Sequence, residues 1–175
     1  MKLHRPVLLV LAGIVLFSPS GCGYTRKMSL PRGIKTVYVD TFQNKMLLGQ
    51  IYAYEPGLEI KITKAVIRRL QVDGNLKVVK EENADAVLEG ELTGIEQEGL
   101  RFTGLERIEE YRLYLVVNLK LRDKKTGETL WEEPSFSGDA SYFVTGPRAV
   151  SRGEAVERAT ERLVRNIVDR VTEDW

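Results

Sequence analysis

A strict alternation of apolar and mostly polar side chains runs through Tyr111-Arg112-Leu113-Tyr114-Leu115-Val116-Val117-Asn118-Leu119-Lys120-Leu121-Arg122. A period of two residues puts the two sets on opposite faces of a strand, one buried and one wet. These residues therefore predict a long strand near the centre of a sheet that is covered on one face. Asp123–Glu128 follows as a predicted hairpin turn, in which Gly127 suits a positive φ.

Further strands are predicted on both sides of this stretch. Ala86–Gln97 reads as a long strand before it, and Thr129–Phe136 as its partner after the turn. Pro134 indicates that this partner lies at a sheet edge or carries a bulge, because proline donates no ladder hydrogen bond. Two shorter strands are predicted at Ile34–Phe42 and Leu76–Lys80.

Two helices complete the pattern. The first opens at Pro56 and stops at Asp73-Gly74, and the second begins at a capping box, Ser151–Glu154, and runs almost to Trp175. Each carries one apolar stripe at helical spacing: Leu58, Ile62, Ala65, Val66 and Leu70 in the first, and Val156, Ala159, Leu163, Ile167 and Val171 in the second. The fold class expected is α+β, with the two helices packed side by side on one face of a mostly antiparallel sheet of four to five strands.

The N-terminus predicts export and a lipid anchor. Two basic residues precede an apolar run of 11 residues, Val7–Phe17, which is shorter than the roughly 20 that a bilayer span needs. Small residues then lead to Cys22, the only cysteine, in a pattern that resembles a bacterial lipobox, although Pro19 stands where Leu is usual. We expect residues 1–21 to be a removed lipoprotein signal peptide, 22–33 a lipidated tether and 34–175 a single domain. The alternative is a secreted protein with an incidental thiol.

Composition excludes several classes of function. Without residues 1–21 the chain has 24 Lys+Arg and 25 Asp+Glu, a net charge of −1, which does not suit bulk nucleic-acid binding. The only histidine, His4, lies in the signal segment, and the only cysteine is the expected lipid site. Catalysis by Ser-His-Asp or Cys-His sets and the common zinc sites are therefore excluded, and we expect no metal, no cofactor and no enzyme.

Carboxylates are the one remaining catalytic possibility. Glu89 and Glu91 lie two residues apart on one face of a predicted strand and could serve as general acid and base of a hydrolase. The simpler interpretation is the wet outer face of a one-sided sheet.

A second open question is the loop Gln43–Glu55, which is rich in apolar residues and either folds onto its own core or contacts a partner protein or acyl chains.

Several segments together resemble a known family. They are Gly21–Tyr24, Ile34–Val39 leading to Phe42-Gln43-Asn44, Ala84–Glu91, and Glu110–Leu113 with Asp123 and Thr126-Gly127 at the next turn. In order and spacing the set is similar to the lipopolysaccharide-assembly lipoprotein family (LptE-like). The resemblance implies a small α/β lipoprotein of the outer membrane, facing the periplasm or lying inside a barrel lumen. It implies that the protein plugs a lipopolysaccharide-export β-barrel, assists its assembly and helps to insert lipopolysaccharide into the outer leaflet.

The resemblance also implies a ligand, lipopolysaccharide, which offers phosphates and acyl chains. Arg101, Arg107 and Arg148 lie in two predicted connections that mix basic and apolar residues, Gly99–Glu109 and Tyr142–Arg148, so they are the candidate ligand-binding residues. An exposed loop arginine otherwise serves only solubility. The alternative function is a lipid-anchored periplasmic accessory protein that regulates a cell-wall enzyme or a secretion pore.

Overall fold

The structure is a computed structural model that describes residues 33–46 and 55–173. The signal segment, Cys22, the tether up to residue 32 and most of the apolar loop lie outside the described residues. The described chain forms two helices, α1 (Leu58–Asp73) and α2 (Arg152–Thr172), and a short 3-10 helix at Glu81–Asn83. Its strands are β1 (Thr36–Val39), β2 (Gln43–Asn44), β3 (Lys77–Val78), β4 (Ala86–Phe102), β5 (Ile108–Asp123) and β6 (Thr129–Phe143).

All six strands belong to one sheet. Its order is β3-β1-β4-β5-β6, and β2 pairs with β4 beside this path. The long strands β4, β5 and β6 pair antiparallel, whereas β1 and β2 pair parallel to β4 and β3 pairs parallel to β1. The α+β class and the placement of both helices on one face are confirmed; the sheet is mixed and has one strand more than expected, because Gln43-Asn44, expected in a loop, pairs with β4.

The alternating stretch is the strand that the sequence predicts. Five of its side chains point inward and are at most 1% exposed: Leu113, Leu115, Val117, Leu119 and Leu121. The even-numbered side chains from Arg112 to Arg122 point to the open face. Across the ladder, Leu121 pairs with Leu88 of β4 and with Trp131 of β6. Burying one full row of leucine and valine side chains is the main source of stability that this strand offers.

A β-bulge in β4 changes which of its side chains point toward the helices. Leu92 lies opposite Val117 and Gly94 lies opposite Val116, so Thr93 is the extra residue. Before Thr93 the even-numbered residues point toward the helices, and after it Ile95 does. This inversion explains why the apolar alternation of Ala86–Gln97 breaks at its middle.

The predicted C-terminal end of α1 and the predicted start of α2 are confirmed, whereas α1 begins at Leu58, two residues after the predicted Pro56. Gly74 ends α1 with φ of 76°, and its N–H donates to the Leu70 carbonyl at 3.0 Å. Ser151 begins α2, and its Oγ accepts from the Glu154 N–H at 3.1 Å. The five apolar stripe residues of α2 are all fully buried.

Close backbone packing fixes α2 on the sheet. A Cβ built on Gly138 of β6 would lie 2.3 Å from the backbone N of Leu163 in α2. The absence of a side chain at this position therefore lets the helix backbone rest directly on the strand. α2 covers β5 and β6, while α1 packs beside α2 over β1 and β3.

Two predicted loops are in part strand. The segment Gly99–Glu109 was expected to be a loop, but β4 continues to Phe102 and β5 begins at Ile108. The connection expected at Tyr142–Arg148 likewise begins with the last two residues of β6. The residues of β4 beyond Ile95 are largely exposed, so the alternation that would reveal a strand is missing there, whereas Tyr142 of β6 is buried. Pro134 lies where predicted, at a bulge in the edge strand β6.

Candidate functional site

The sheet has two chemically different ends. The proximal end carries the start of β1 and the β5–β6 turn, and the distal end carries the β4–β5 turn and the connection from β6 to α2. All three candidate arginines lie at the distal end: Arg101 near the end of β4, Arg107 in the β4–β5 turn, and Arg148 between β6 and α2.

Two of these arginines share one aromatic ring. The guanidinium carbon of Arg148 lies 4.1 Å from the ring centroid of Phe143, and that of Arg101 lies 5.6 Å from it. Both distances are within the range of cation–π attraction. The Nε of Arg101 also lies 3.4 Å from Glu110 Oε2, on the neighbouring strand. The fold therefore brings together two residues that are 47 positions apart in the sequence.

Arg107 is held differently. The Thr103 N–H donates to the Arg107 carbonyl at 2.8 Å, and the Arg107 N–H donates to Thr103 Oγ1 at 3.3 Å. These bonds close the β4–β5 turn, in which Glu106 adopts φ of 59°. Within residues 33–46 and 55–173, the ion pairs do not include the Arg107 guanidinium, and it does not reach the Phe143 ring.

Exposed apolar groups surround the arginines. Phe102 is 56% exposed and Leu105 is 78% exposed, values unusual for side chains of this size. Leu100 and Val144 are exposed beside them. We call these residues together the distal surface: Leu100, Arg101, Phe102, Leu105, Arg107, Phe143, Val144 and Arg148.

A stacked pair of tyrosines, one buried and one partly buried, lies next to the distal surface. The rings of Tyr111 and Tyr142 stack with centroids 5.9 Å apart, and Tyr142 is only 4% exposed. Burial raises the pKa of the Tyr142 hydroxyl, so it stays neutral.

Sequence reasoning missed Phe143 and Glu110 as part of the site. The available signal was the alternation of Phe136, Ala140 and Tyr142 in β6, which small residues between them obscure.

The carboxylates lie on the open face, away from the distal surface. The Nε of Arg122 donates to Glu89 Oε1 at 3.2 Å, and this bond raises the pKa of Arg122. Glu91 lines a shallow groove of about 410 Å³ together with Lys120 and Glu132. Glu89 is thus committed to a cross-strand ion pair, the arrangement expected of a wet sheet face. Among the residues that the structure describes, no group of three His, Cys, Asp or Glu side chains could hold a metal ion.

In the described part of the chain, neither helix is long and apolar enough to cross a membrane.

Comparison with known proteins gives one family. The model of the lipopolysaccharide-assembly family, LptE, matches residues 34–171, which include both helices almost completely and the whole sheet. The comparison with curated proteins gives no significant match.

Two solved structures share the fold at low sequence identity. A hypothetical protein from Chlamydia trachomatis is 14% identical, with a TM-score of 0.53 over 79% of this chain and 96% of that one. A protein from Xanthomonas campestris is 12% identical, with a TM-score of 0.50 over 82% and 85% of the two chains. An uncharacterized lipoprotein B from Nitrosomonas europaea is 16% identical, with a TM-score of 0.48 over 87% and 90%.

Proposed function

The chain belongs to the lipopolysaccharide-assembly family, LptE, and on that basis we propose that it is a non-enzymatic lipoprotein that plugs a lipopolysaccharide-export β-barrel of the outer membrane. In this role it assists assembly of the barrel and helps to insert lipopolysaccharide into the outer leaflet. The body, residues 34–175, faces the periplasm or lies within the barrel lumen. No cofactor takes part.

Attachment to the membrane is through Cys22. After removal of residues 1–21, acyl chains on this cysteine would hold the protein, with residues 22–33 as the tether. Each buried methylene contributes about 0.8 kcal/mol, so more than one chain gives stable anchoring.

The observation that carries the ligand assignment is the convergence of Arg101 and Arg148 on the Phe143 ring. Lipopolysaccharide presents phosphate groups next to acyl chains. Two guanidinium groups supply charge-assisted hydrogen bonds to phosphate, and their shared ring restricts their motion before binding. Exposed Phe102 and Leu105 supply apolar contact within the same surface. Arg107, at the tip, is the third candidate ligand.

The decisive experiment has two parts. Affinity purification of the lipidated protein from native outer membrane, with mass identification of partners, should recover a large β-barrel protein. Depletion of the protein should lower surface lipopolysaccharide. Recovery of a cell-wall enzyme or a secretion pore in place of the barrel would support the alternative function, and a protein that is always recovered alone would contradict both.

The ligand site is tested separately. We expect the double variant Arg101→Gln/Arg148→Gln to bind lipopolysaccharide at least about a hundredfold more weakly, since two hydrogen-bonding charges are lost and hydrogen bonds to charged groups contribute about 1.5–3 kcal/mol each. The matched control is Arg158→Gln/Arg162→Gln, which removes the same charge from the exposed surface of α2. Equal lipopolysaccharide binding by both double variants would show that the distal surface is not the ligand site.

A further inference from the structure

The two helices leave a groove between them on their solvent side. Its volume is about 350 Å³, and Ala65 and Val164 form part of its lining. Three exposed arginines border it: Arg68, Arg69 and Arg165. This groove is separate from the distal surface, because Arg165 lies 14 residues, or about 21 Å of helix, beyond Ser151.

The charges of the groove are incompletely balanced. Lys61 and Glu157 pair across it. Glu161 is the other acidic side chain in its lining. The ion pairs within residues 33–46 and 55–173 do not include Arg68, Arg69 or Arg165. A groove with three arginines and one remaining carboxylate attracts anions, although the protein as a whole is nearly neutral.

The arginines of the groove lie toward the end of the body where the tether enters. Helices α1 and α2 run in the same direction, since Lys61 pairs with Glu157 near both N-termini. Arg68 and Arg69 therefore lie near the C-terminal end of α1. Just beyond that end, the Lys77 N–H donates to the Lys35 carbonyl at 3.0 Å. The first residues of the body thus lie beside the last turn of α1.

An exposed apolar side chain adjoins the arginines. Val72, one turn beyond Arg68, is 80% exposed. Basic residues beside an exposed aliphatic group are typical of helices that contact the headgroup region of a membrane.

We propose that the groove and the last turn of α1 bind the acidic phospholipid headgroups of the leaflet that holds the anchor. This inference rests on the proposed lipidation of Cys22. The 12 residues from Cys22 to Gly33 extend at most about 40 Å, so the end of the body that carries Arg68 and Arg69 is held near that leaflet. A membrane is therefore the anionic surface that this end meets, in preference to an acidic protein. Contact would orient the distal surface away from the bilayer plane of the anchor.

The test uses the mature chain, residues 22–175, with Cys22→Ser so that no acyl chain contributes. Its flotation is measured with vesicles of phosphatidylcholine alone and of phosphatidylcholine with phosphatidylglycerol. We expect binding to the acidic vesicles only, and loss of binding at high salt. Equal binding to both vesicle types, or to neither, would overturn the proposal.

Variants locate the surface. The triple variant Arg68→Gln/Arg69→Gln/Arg165→Gln should bind acidic vesicles about a hundredfold more weakly, because each basic residue at a membrane contributes about fivefold. The control Lys80→Gln/Arg158→Gln/Arg162→Gln removes the same charge elsewhere, and an equal loss there would contradict a specific site. Inorganic phosphate that releases the protein more effectively than chloride at matched ionic strength would indicate a free-phosphate site and overturn the headgroup assignment. Neither barrel nor lipopolysaccharide is present, so the outcome is independent of the proposed function.

Discussion

Thr36 and Asp85 bind each other in both directions although they lie 49 residues apart. The Thr36 hydroxyl donates to Asp85 Oδ2 at 2.9 Å, and the Thr36 N–H donates to the same oxygen at 3.1 Å. In return, the Asp85 N–H donates to Thr36 Oγ1 at 2.8 Å. Lys125 of the β5–β6 turn donates to the other carboxylate oxygen at 3.0 Å. One carboxylate therefore ties the starts of β1 and β4 to the proximal hairpin.

Asp85 should make stability depend on pH. Hydrogen bonds from Lys125 and Thr36 lower the pKa of Asp85 from 3.8 to about 2. A lowered pKa in the folded state means that the stabilisation is complete above the unfolded pKa and is lost as the pH falls through about 2. Asp85→Asn should lower the free energy of unfolding by about 2 kcal/mol at neutral pH.

Urea unfolding over a pH series measures this effect. The difference between wild type and Asp85→Asn should shrink toward acid pH, while the control Asp169→Asn on the exposed face of α2 should change little at any pH. A difference for Asp85→Asn that stays constant down to the acid end would show that the ionised carboxylate is not the cause.

Gly138 should tolerate no side chain. An alanine Cβ there would approach the backbone of Leu163 at 2.3 Å, so α2 would have to shift on the sheet. We expect Gly138→Ala to destabilise the fold by about 3 kcal/mol or more, at the upper end of overpacking costs. The matched control is Gly104→Ala in the β4–β5 turn, where a Cβ meets nothing within 4 Å. Thermal unfolding compares the two, and equal midpoints would contradict the close helix–strand contact.

Ser151 should contribute a helix cap. Its Oγ satisfies the Glu154 N–H at the start of α2, so Ser151→Ala should cost about 1 kcal/mol. Ser151→Asp should restore most of the loss, since its carboxylate can accept the same hydrogen bond and favours the N-terminus of the helix. Urea unfolding of wild type, Ser151→Ala and Ser151→Asp measures the free energies of unfolding. If Ser151→Asp is as unstable as Ser151→Ala, Ser151 does not stabilise the protein as a helix cap.

Phe143 should act as the platform for two arginines. In Phe143→Leu the apolar contact persists but the π face under Arg101 and Arg148 is lost. A cation–π contact at an exposed site contributes about 0.5–1 kcal/mol and two are lost, so we expect lipopolysaccharide binding to weaken about fivefold to thirtyfold. Phe102→Leu is the control, because it removes an exposed ring of the same surface, and the cation–π contacts among the described residues involve Phe143 and Trp131 but not Phe102. Similar losses in both variants would indicate a purely apolar role.

Cys22 should carry the acyl chains. Intact mass of the protein from its native host should exceed the mass of residues 22–175 by the lipid, and Cys22→Ser should abolish palmitate labelling and release the protein from the membrane fraction. An unmodified thiol on the native protein would contradict the proposed anchor and, with it, the geometry on which membrane contact by α1 depends.

Much of the fold could be predicted because its signals are local. The hairpin turn at Asp123–Glu128, the cap at Ser151 and the apolar stripe of α2 each depend on residues within a few positions of one another. The last residues of β4 could not be predicted, because exposed residues such as Glu98 and Leu100 need not alternate. The bulge at Thr93 was hidden for a related reason, since it shifts the alternation by one residue.

The candidate site follows the same division. Residue types, together with the ligand that the family resemblance implied, indicated Arg101, Arg107 and Arg148, and residue types alone excluded the usual nucleophiles and zinc ligands. Only the tertiary structure decided that Arg101 and Arg148 meet on Phe143, whereas Arg107 lies apart at the turn. The physical reason is that such contacts depend on the register of β4, β5 and β6, which burial of the whole sheet face sets and which no local stretch of sequence contains.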